Sequence, residues 1–479
     1  MTNIPAPADE PALAETAQNA SSETTGGALG SKGIGWAIFE WARNPYYNVV
    51  VIYAFTPYFT ASVIGDPGLG QTLIGVTIAL AGVIMAIVAP VLGSIVDKAG
   101  AKKPLVAFSL GTIILCSLLL GFVTPDLPAA VPIGMALLLI AYCAYTVSEL
   151  MHNAMLPGAG RTEALPMISG IGLSLGNAAG VIGLVSIVIF SANPPSGLET
   201  ADIGRLSAPA VGIWILVFIP LFFWLMPDVY RKGRTWGQAF REFRDPANRT
   251  DVSVWIKQRF KENPNVMRYL IGRMIYADGI AALLTIGGVY VGGVLGWTIP
   301  QIAIYGIIAS VFAVFGGILG GFLDRLLGPK RALILELSMA ILIGIFQISV
   351  TQQNILFGLI PASHEVISIG PFRSLADVAY VAAVIPAAIF LVAAISSSRY
   401  MLLHISPPDK IGEFFGFYAM SGSVTVWLGP GSVALATWLS GGDQRIGFTP
   451  VIVLLTLGLL ILMTVKADKT PEHMKTGAE

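Results

Sequence analysis

Apolar runs of about twenty residues follow one another along this chain, and a helix needs roughly that length to cross the hydrocarbon of a bilayer. Twelve candidate spans stand out, near 36–63, 71–95, 104–123, 129–152, 165–190, 208–226, 267–296, 299–323, 332–350, 377–398, 411–437 and 447–465. Only 12% of the residues are charged and the mean hydropathy is +0.75, whereas a soluble domain carries about a quarter charged residues. The sequence specifies an all-α polytopic membrane protein. Its frequent internal Pro and Gly suit helices packed in lipid.

Lys and Arg set the expected orientation. One set of loops holds Lys98, Lys102 and Lys103, then Arg161, a basic run from Arg231 to Arg268, then Arg325, Lys330 and Arg331, and finally Arg399 and Lys410. The alternate loops hold Arg205, Arg373 and Arg445. The basic side is expected in the cytoplasm, and an even number of spans puts both termini there too. The inner (cell) membrane is the expected location. Residues 1–33, rich in Ala, Pro, Thr, Ser and Glu, read as a disordered tail without the apolar core of a signal peptide. The expected organisation is a six-helix bundle over 34–226, a cytoplasmic linker over 227–266, a second six-helix bundle over 267–466 and a tail over 467–479. In the linker, Trp236, Phe240 and Phe243, and then Val252, Trp255, Ile256 and Phe260, recur at helical spacing among basic residues. Two amphipathic helices on the membrane surface, or a charged spacer, fit that pattern.

The two halves repeat each other. GSIVDKAGAKKP after the second span answers GGFLDRLLGPKR after the eighth. Gly93 pairs with Gly320, Asp97 with Asp324, Lys98 with Arg325, and Lys102–Lys103 with Lys330–Arg331 across one inserted residue. Adding 246 carries Gly170, Gly176 and Gly183 onto Gly416, Gly422 and Gly429, and Met155–Leu156 onto Met401–Leu402. A duplicated six-helix unit is the economical reading. The loop motif suits a gate: the glycines allow close helix approach, and the aspartates can accept from basic groups or from a neighbouring helix N-terminus. Gly172, Gly176 and Gly180 in span five, and Gly316, Gly317, Gly320 and Gly321 in span eight, read as close-packing surfaces between helices that slide or rock.

The motif Gly-x-x-x-Asp-(Arg/Lys)-x-Gly-x-(Lys/Arg)-(Lys/Arg), repeated in a 6+6 chain, resembles the signature of the major facilitator superfamily. GWAIFEWARNPYY, HNAMLPGAG, YADG and SSSRYMLLHISPPDKIGEFFGFY are similar to stretches of one branch, the "unknown major facilitator" family. That branch includes the autophagy-related vacuolar amino-acid effluxers of fungi. The resemblance implies the major facilitator fold and, for some members, amino-acid efflux. Where the family shows Asp-Trp-Ala-Asn in span one, this chain has Glu40-Trp41-Ala42-Arg43, so a cation replaces a neutral amide.

Those two charges are the sharpest feature of the spans. At i, i+3 they share a helix face and can pair. Either they line a cavity between the repeats, or they form a salt bridge at the membrane interface. Pro45 breaks the helix next to them and frees carbonyls, which fits the discontinuous helices of transport sites. Neighbouring Asn44 joins the same set. In span seven, the counterpart of span one, Tyr269, Arg273 and Tyr276 share a face while Asp278 points elsewhere. In span four, Tyr142, Tyr145, Glu149 and His152 lie on one face. Glu149 there is either a proton site or part of a structural hydrogen-bond network. Asn177, in mid-span five, is a site candidate or a helix–helix hydrogen bond.

The function expected is secondary active transport of a small zwitterionic or amphiphilic solute by alternating access, with protons as the coupling ion. No Gly-x4-Gly-Lys-(Ser/Thr) occurs, which argues against an ATP-driven pump. The four histidines are scattered, which argues against a lipid-modifying enzyme. A sensor on a carrier fold is the remaining alternative. No cofactor, metal site or nucleic-acid partner is expected, the bilayer is the surrounding medium, and the carrier is expected to be a monomer.

Overall fold

The computed structural model describes residues 30–99, 101–160, 165–228, 258–367, 370–407, 414, 417–418 and 427–467. Twelve helical segments of twelve residues or more run through them: α1 (Ser31–Ile64), α2 (Pro67–Ala99), α3 (Lys103–Leu120), α4 (Ala130–Met155), α5 (Leu165–Ala192), α6 (Thr200–Leu225), α7 (Pro264–Val294), α8 (Ile299–Leu327), α9 (Pro329–Ile348), α10 (Leu375–Ile405), α11 (Leu428–Leu439) and α12 (Gln444–Met463). Among the described residues, eleven are long and apolar enough to cross a membrane, and α11 is a shorter apolar helix. Most of the expected eleventh span before Leu428 lies outside the described residues. So do the two amphipathic stretches apart from Phe260, and the side chains of Asp97 and Lys98.

Helix pairing repeats between halves. The contacts α2–α4, α3–α4 and α3–α6 recur as α8–α10, α9–α10 and α9–α12, six helices further on. The most extensive contacts between the halves are α2 against α11 and α5 against α8, and they too exchange under a shift of six. Gly68, Gly75 and Gly82 lie seven residues apart on α2. A Cβ on Gly75 would stand 2.8 Å from the Pro430 carbonyl oxygen and 2.9 Å from Ala434 Cβ, and one on Gly82 would stand 2.8 Å from the Trp427 nitrogen. Gly68 faces Gly442. This heptad of glycines lets the two backbones meet. At the end of the bundle away from the basic loops, Gln71 Nε2 donates to Thr437 Oγ1 at 2.8 Å, and Gln444 Nε2 donates to the Pro67 carbonyl at 3.0 Å. Both hydrogen bonds cross between halves.

The glycines of α5 form a groove for α1. Gly172 faces Trp36, Gly176 faces Asn44, Gly180 faces Asn48 and Gly183 faces Val49. On α8 only part of the expected packing surface is used: Gly316 and Gly320 press on α10 at Ile389 and Ala393, while Gly317 and Gly321 have open space beside them. A short hairpin, β1 (Asn354–Ile355) with β2 (Ile360–Pro361), interrupts the otherwise helical chain between α9 and α10. It turns at Gly358, whose φ of 95° suits glycine, and the helical reading of this sequence missed it.

Candidate functional site: a cavity between the repeats

Helix α1 is irregular where it reaches the centre. It is α-helical over Ser31–Pro45, π-helical over Tyr46–Tyr53, and breaks at Ala54 with φ −131° and ψ −66°. Pro45 has no N–H to give the Trp41 carbonyl one turn back. That carbonyl instead accepts from Trp214 Nε1 of α6 at 3.0 Å. The freed backbone group expected at Pro45 is therefore satisfied by a neighbouring helix, as helix breaks in lipid require.

Beside this irregular stretch lies a cavity of about 450 Å³, bordered by both halves, within the size range of small-molecule sites. Its two walls differ in chemistry. From the first half come Glu40, Arg43, Asn44, Asn48, Glu149 and Asn177, with Tyr47 and Tyr145 between them. From the second half come mainly Ile280, Leu283, Leu284, Val384, Leu391 and Ile395, with Ser310 and Gln347 as polar exceptions. Exposed Asn153 and Arg399 border it toward the basic end. At the opposite end the Tyr53 ring of α1 meets the Tyr305 ring of α8 edge-on, with centroids 5.5 Å apart, and closes the floor between halves.

Arg43 organises the polar wall. Its side chain is 3% exposed. Nη2 donates to both Glu40 carboxylate oxygens at 3.1 Å, and Nη1 stands 3.6 Å from Glu149 Oε2. The guanidinium lies 4.2 Å from the Tyr145 ring centroid, which adds a cation–π attraction. Its Nε and Nη1 donate no hydrogen bond among the described residues. Glu149 is 47% exposed, so its carboxylate faces the cavity. On the other side of Glu40, His152 Nδ1 comes within 3.2 Å of Oε1. The imidazole is fully buried between the rings of Trp36 and Phe39, with centroids 4.0 and 4.1 Å away. His152 Nε2 donates to the Trp36 carbonyl at 2.8 Å, while Trp36 Nε1 donates to the His152 carbonyl at 3.0 Å.

Of the residues singled out from the sequence, Glu40, Arg43, Asn44, Glu149 and Asn177 line this cavity. Tyr142 does not; it lies behind Tyr145, next to Tyr46. Arg273, Tyr276 and Asp278 are also absent from its lining. Arg273 donates to the Tyr418 carbonyl at 2.8 Å and stacks over that ring at 3.7 Å. Tyr276 packs against Gly458 of α12, and the Asp278 backbone packs against Gly429 of α11. The Arg273 charge is thus engaged within the second half. Sequence reasoning passed over His152 as a site residue, although its i+3 spacing from Glu149 was visible. It had no signal for Tyr53, Tyr305, Gln347 or Arg399, which come together only through the fold.

Of the two gate aspartates, which were expected to accept from basic groups or from a neighbouring helix N-terminus, the Asp97 side chain lies outside the described residues. For α3 the acceptor is Asp228, just past α6, whose carboxylate takes the Lys102 and Lys103 backbone N–H groups at 2.9 and 3.0 Å. Lys103 Nζ donates to the Phe223 carbonyl at 2.8 Å. In the second half Asp324 is buried and reaches Ser397, which also donates to Glu336 Oε1 at 3.0 Å. Arg325 and Arg331 are exposed and Lys330 is half-buried.

The chain superposes on a D-xylose-proton symporter with a TM-score of 0.65 at 12% identity, over 92% of this chain and 99% of the other. At that identity the likeness concerns the fold, which is that of transporters of the major facilitator type. In sequence, the chain is 22% identical over 454 residues to the "Uncharacterized MFS-type transporter YxiO" of Bacillus subtilis (strain 168), covering 91% of this chain and 95% of that protein. It is 23% identical over 305 residues to "Autophagy-related protein 22" of Cryptococcus neoformans var. neoformans serotype D (strain B-3501A), covering 62% of this chain and 52% of that protein. Residues 160–475 match the family described as "Vacuole effluxer Atg22 like", and the chain belongs to that family. It is a multi-pass membrane transporter of the MFS type.

Proposed function

We propose that the protein is a proton-coupled secondary carrier that moves a small zwitterion, an amino acid with an apolar side chain being the best fit, by alternating access. The observation that carries this reading is the two-faced cavity. Its first-half wall offers a buried guanidinium with unused donors and an exposed carboxylate 3.6 Å from it. Its second-half wall is largely aliphatic. A solute carboxylate fits at Arg43, its amine at Glu149, and its side chain against Leu283, Leu391 and neighbours. Binding across both repeats is what couples a solute to their relative rocking. The glycine seam and the Tyr53–Tyr305 contact are the parts that separate when access changes ends. The basic loops favour both termini in the cytoplasm, and the cell membrane is the location we assign to the carrier. The carrier acts as a monomer and carries out no covalent chemistry.

The test is uptake and counterflow of a labelled amino-acid mixture in proteoliposomes, with and without an imposed pH gradient. Saturable uptake of apolar amino acids, lost in Arg43→Ala and Glu149→Ala, is expected. No uptake of any amino acid by the parent would overturn the substrate assignment.

A further inference from the structure

The His152 ring poses a problem of proton accounting. Its Nε2 lies 2.8 Å from the Trp36 carbonyl oxygen, and a carbonyl can only accept, so Nε2 carries a hydrogen. In a neutral ring Nδ1 then presents a lone pair, and that lone pair faces Glu40 Oε1 at 3.2 Å. Two lone pairs at that distance in a buried place repel. One additional proton, on Nδ1 or on the carboxyl, removes the conflict. Nδ1 makes no aligned hydrogen bond in the arrangement observed, so the contact has room to tighten when the proton arrives.

We infer that Glu40 and His152 together form the proton-binding site of the carrier, and that Arg43 passes the proton's effect to the solute by dividing its charge between Glu40 and Glu149. This deepens the carrier reading above and rests on it for the transport step. When the pair holds the proton, Glu40 needs Arg43 less, and the guanidinium turns toward Glu149 and the cavity. When the proton leaves, Glu40 reclaims Arg43 and leaves Glu149 as a free carboxylate. The proton moves between nitrogen, oxygen and water alone, so no co-reactant is required.

The surroundings suit one movable proton. The charged or titratable groups facing the pair are Arg43 from α1 and Tyr145 and Glu149 from α4. From α6 the neighbour is Phe222, with its centroid 6.5 Å from that of His152. From α5 the flanking residue is Gly172, against Trp36. Arg161 and Glu163 lie outside the described residues. Glu40 is 14% exposed and borders the cavity, which gives the proton its route, whereas His152 is fully enclosed.

The stacked indole supplies a readout independent of transport, because an imidazolium quenches a tryptophan lying on it. Tryptophan emission of the purified full-length protein in nanodiscs, without solute, is titrated between about pH 5 and 8. The parent should show a step that is absent in His152→Gln and displaced in Glu40→Gln. The second arm measures accumulation of a labelled amino acid, driven by a pH gradient and normalised to each variant's own counterflow. A gradient of one unit supports about tenfold accumulation per proton carried, and Glu40→Gln should reduce that ratio to one. No step in the parent, the same step in both variants, or undiminished gradient-driven accumulation in Glu40→Gln would each overturn the inference. A step that behaves as expected, in a protein that moves no amino acid, would retain the proton site and discard the substrate.

Discussion

Adding one methyl group at Gly75 should open the seam between the two halves. On α2 the new Cβ would meet the Pro430 carbonyl oxygen at 2.8 Å and Ala434 Cβ at 2.9 Å. Both belong to or adjoin helical backbone, so relief requires α2 and α11 to move apart. Overpacking of this kind costs about 1–3 kcal/mol. Gly→Ala also favours the helix by about 1 kcal/mol, but that gain is present whichever way the carrier faces and drops out of the balance between states. The closed-seam state alone bears the clash, so the open population should rise by about 5- to 150-fold. A reporter cysteine at Thr437, fully buried in the seam, measures this in a background lacking Cys116 and Cys143. Its reaction with a maleimide follows the open fraction when opening is fast. Thr437→Cys is common to both proteins, so its own effect on the Gln71 hydrogen bond cancels in the ratio. Gly111→Ala is the matched control, because nothing lies within 4 Å of its added Cβ. Equal labelling rates in Gly75→Ala and the parent, or an equal rise in Gly111→Ala, would refute the reasoning.

Other perturbations probe the polar groups. Arg43→Ala should lower stability by about 3–5 kcal/mol, because it strands a buried carboxylate; adding Glu40→Gln should recover part of that loss in thermal unfolding monitored by fluorescence. Asp228→Ala removes the acceptor of two N–H groups at the start of α3 and should cost about 0.5–2 kcal/mol, the usual worth of a helix cap, read as a lower unfolding midpoint that Asp228→Asn partly restores. Glu336 is fully buried beside Ser397, so Glu336→Gln, which keeps the hydrogen-bond acceptor and cannot ionise, should unfold no lower than the parent. A clear drop for Glu336→Gln would mean that its charge is used.

What the sequence made legible was decided by periodicity and charge. The succession of long apolar helices, the alternation of basic loops and the duplicated loop motif rest on patterns that survive without coordinates. A close-packing face on α5 was visible as Gly172-x3-Gly176-x3-Gly180, because close helix approach needs small residues at that spacing, but its partner α1 was not. The glycines of α2 carried the same kind of information at seven-residue spacing, but their partners are residues more than 340 positions away, Trp427 and Pro430 among them. Nothing local says which neighbour a small residue serves. The same limit explains Tyr53 with Tyr305, and Asp228 at the start of α3. Such pairings are products of the bundle.

The least legible feature was the division of labour between the repeats. Equal ancestry suggested that the acid and the Arg in α1 had counterparts in Arg273 and Asp278 of α7. The fold gives them different work. Arg43 sits where α1 turns π-helical after Pro45, and that irregular stretch presents Asn44, Tyr47 and Asn48 to the cavity. Helix α7 remains α-helical from Pro264 to Val294, and its Arg273 is occupied with the Tyr418 ring and carbonyl. Tyr269 bonds the Ser398 carbonyl, and Ser398 Oγ lies 2.5 Å from the Tyr418 hydroxyl, so α7, α10 and the chain before α11 are tied together near the basic end. A rocking carrier benefits from this asymmetry. If both halves carried charges at the cavity, each change of access would have to separate or desolvate opposed ionic groups. In the proposed rocking motion the second half, whose charge at the cavity among the described residues is the exposed Arg399 at the basic end, would move across the solute largely as an apolar surface, and the ionic network around Arg43, made within the first half, would respond to proton and solute without being pulled apart.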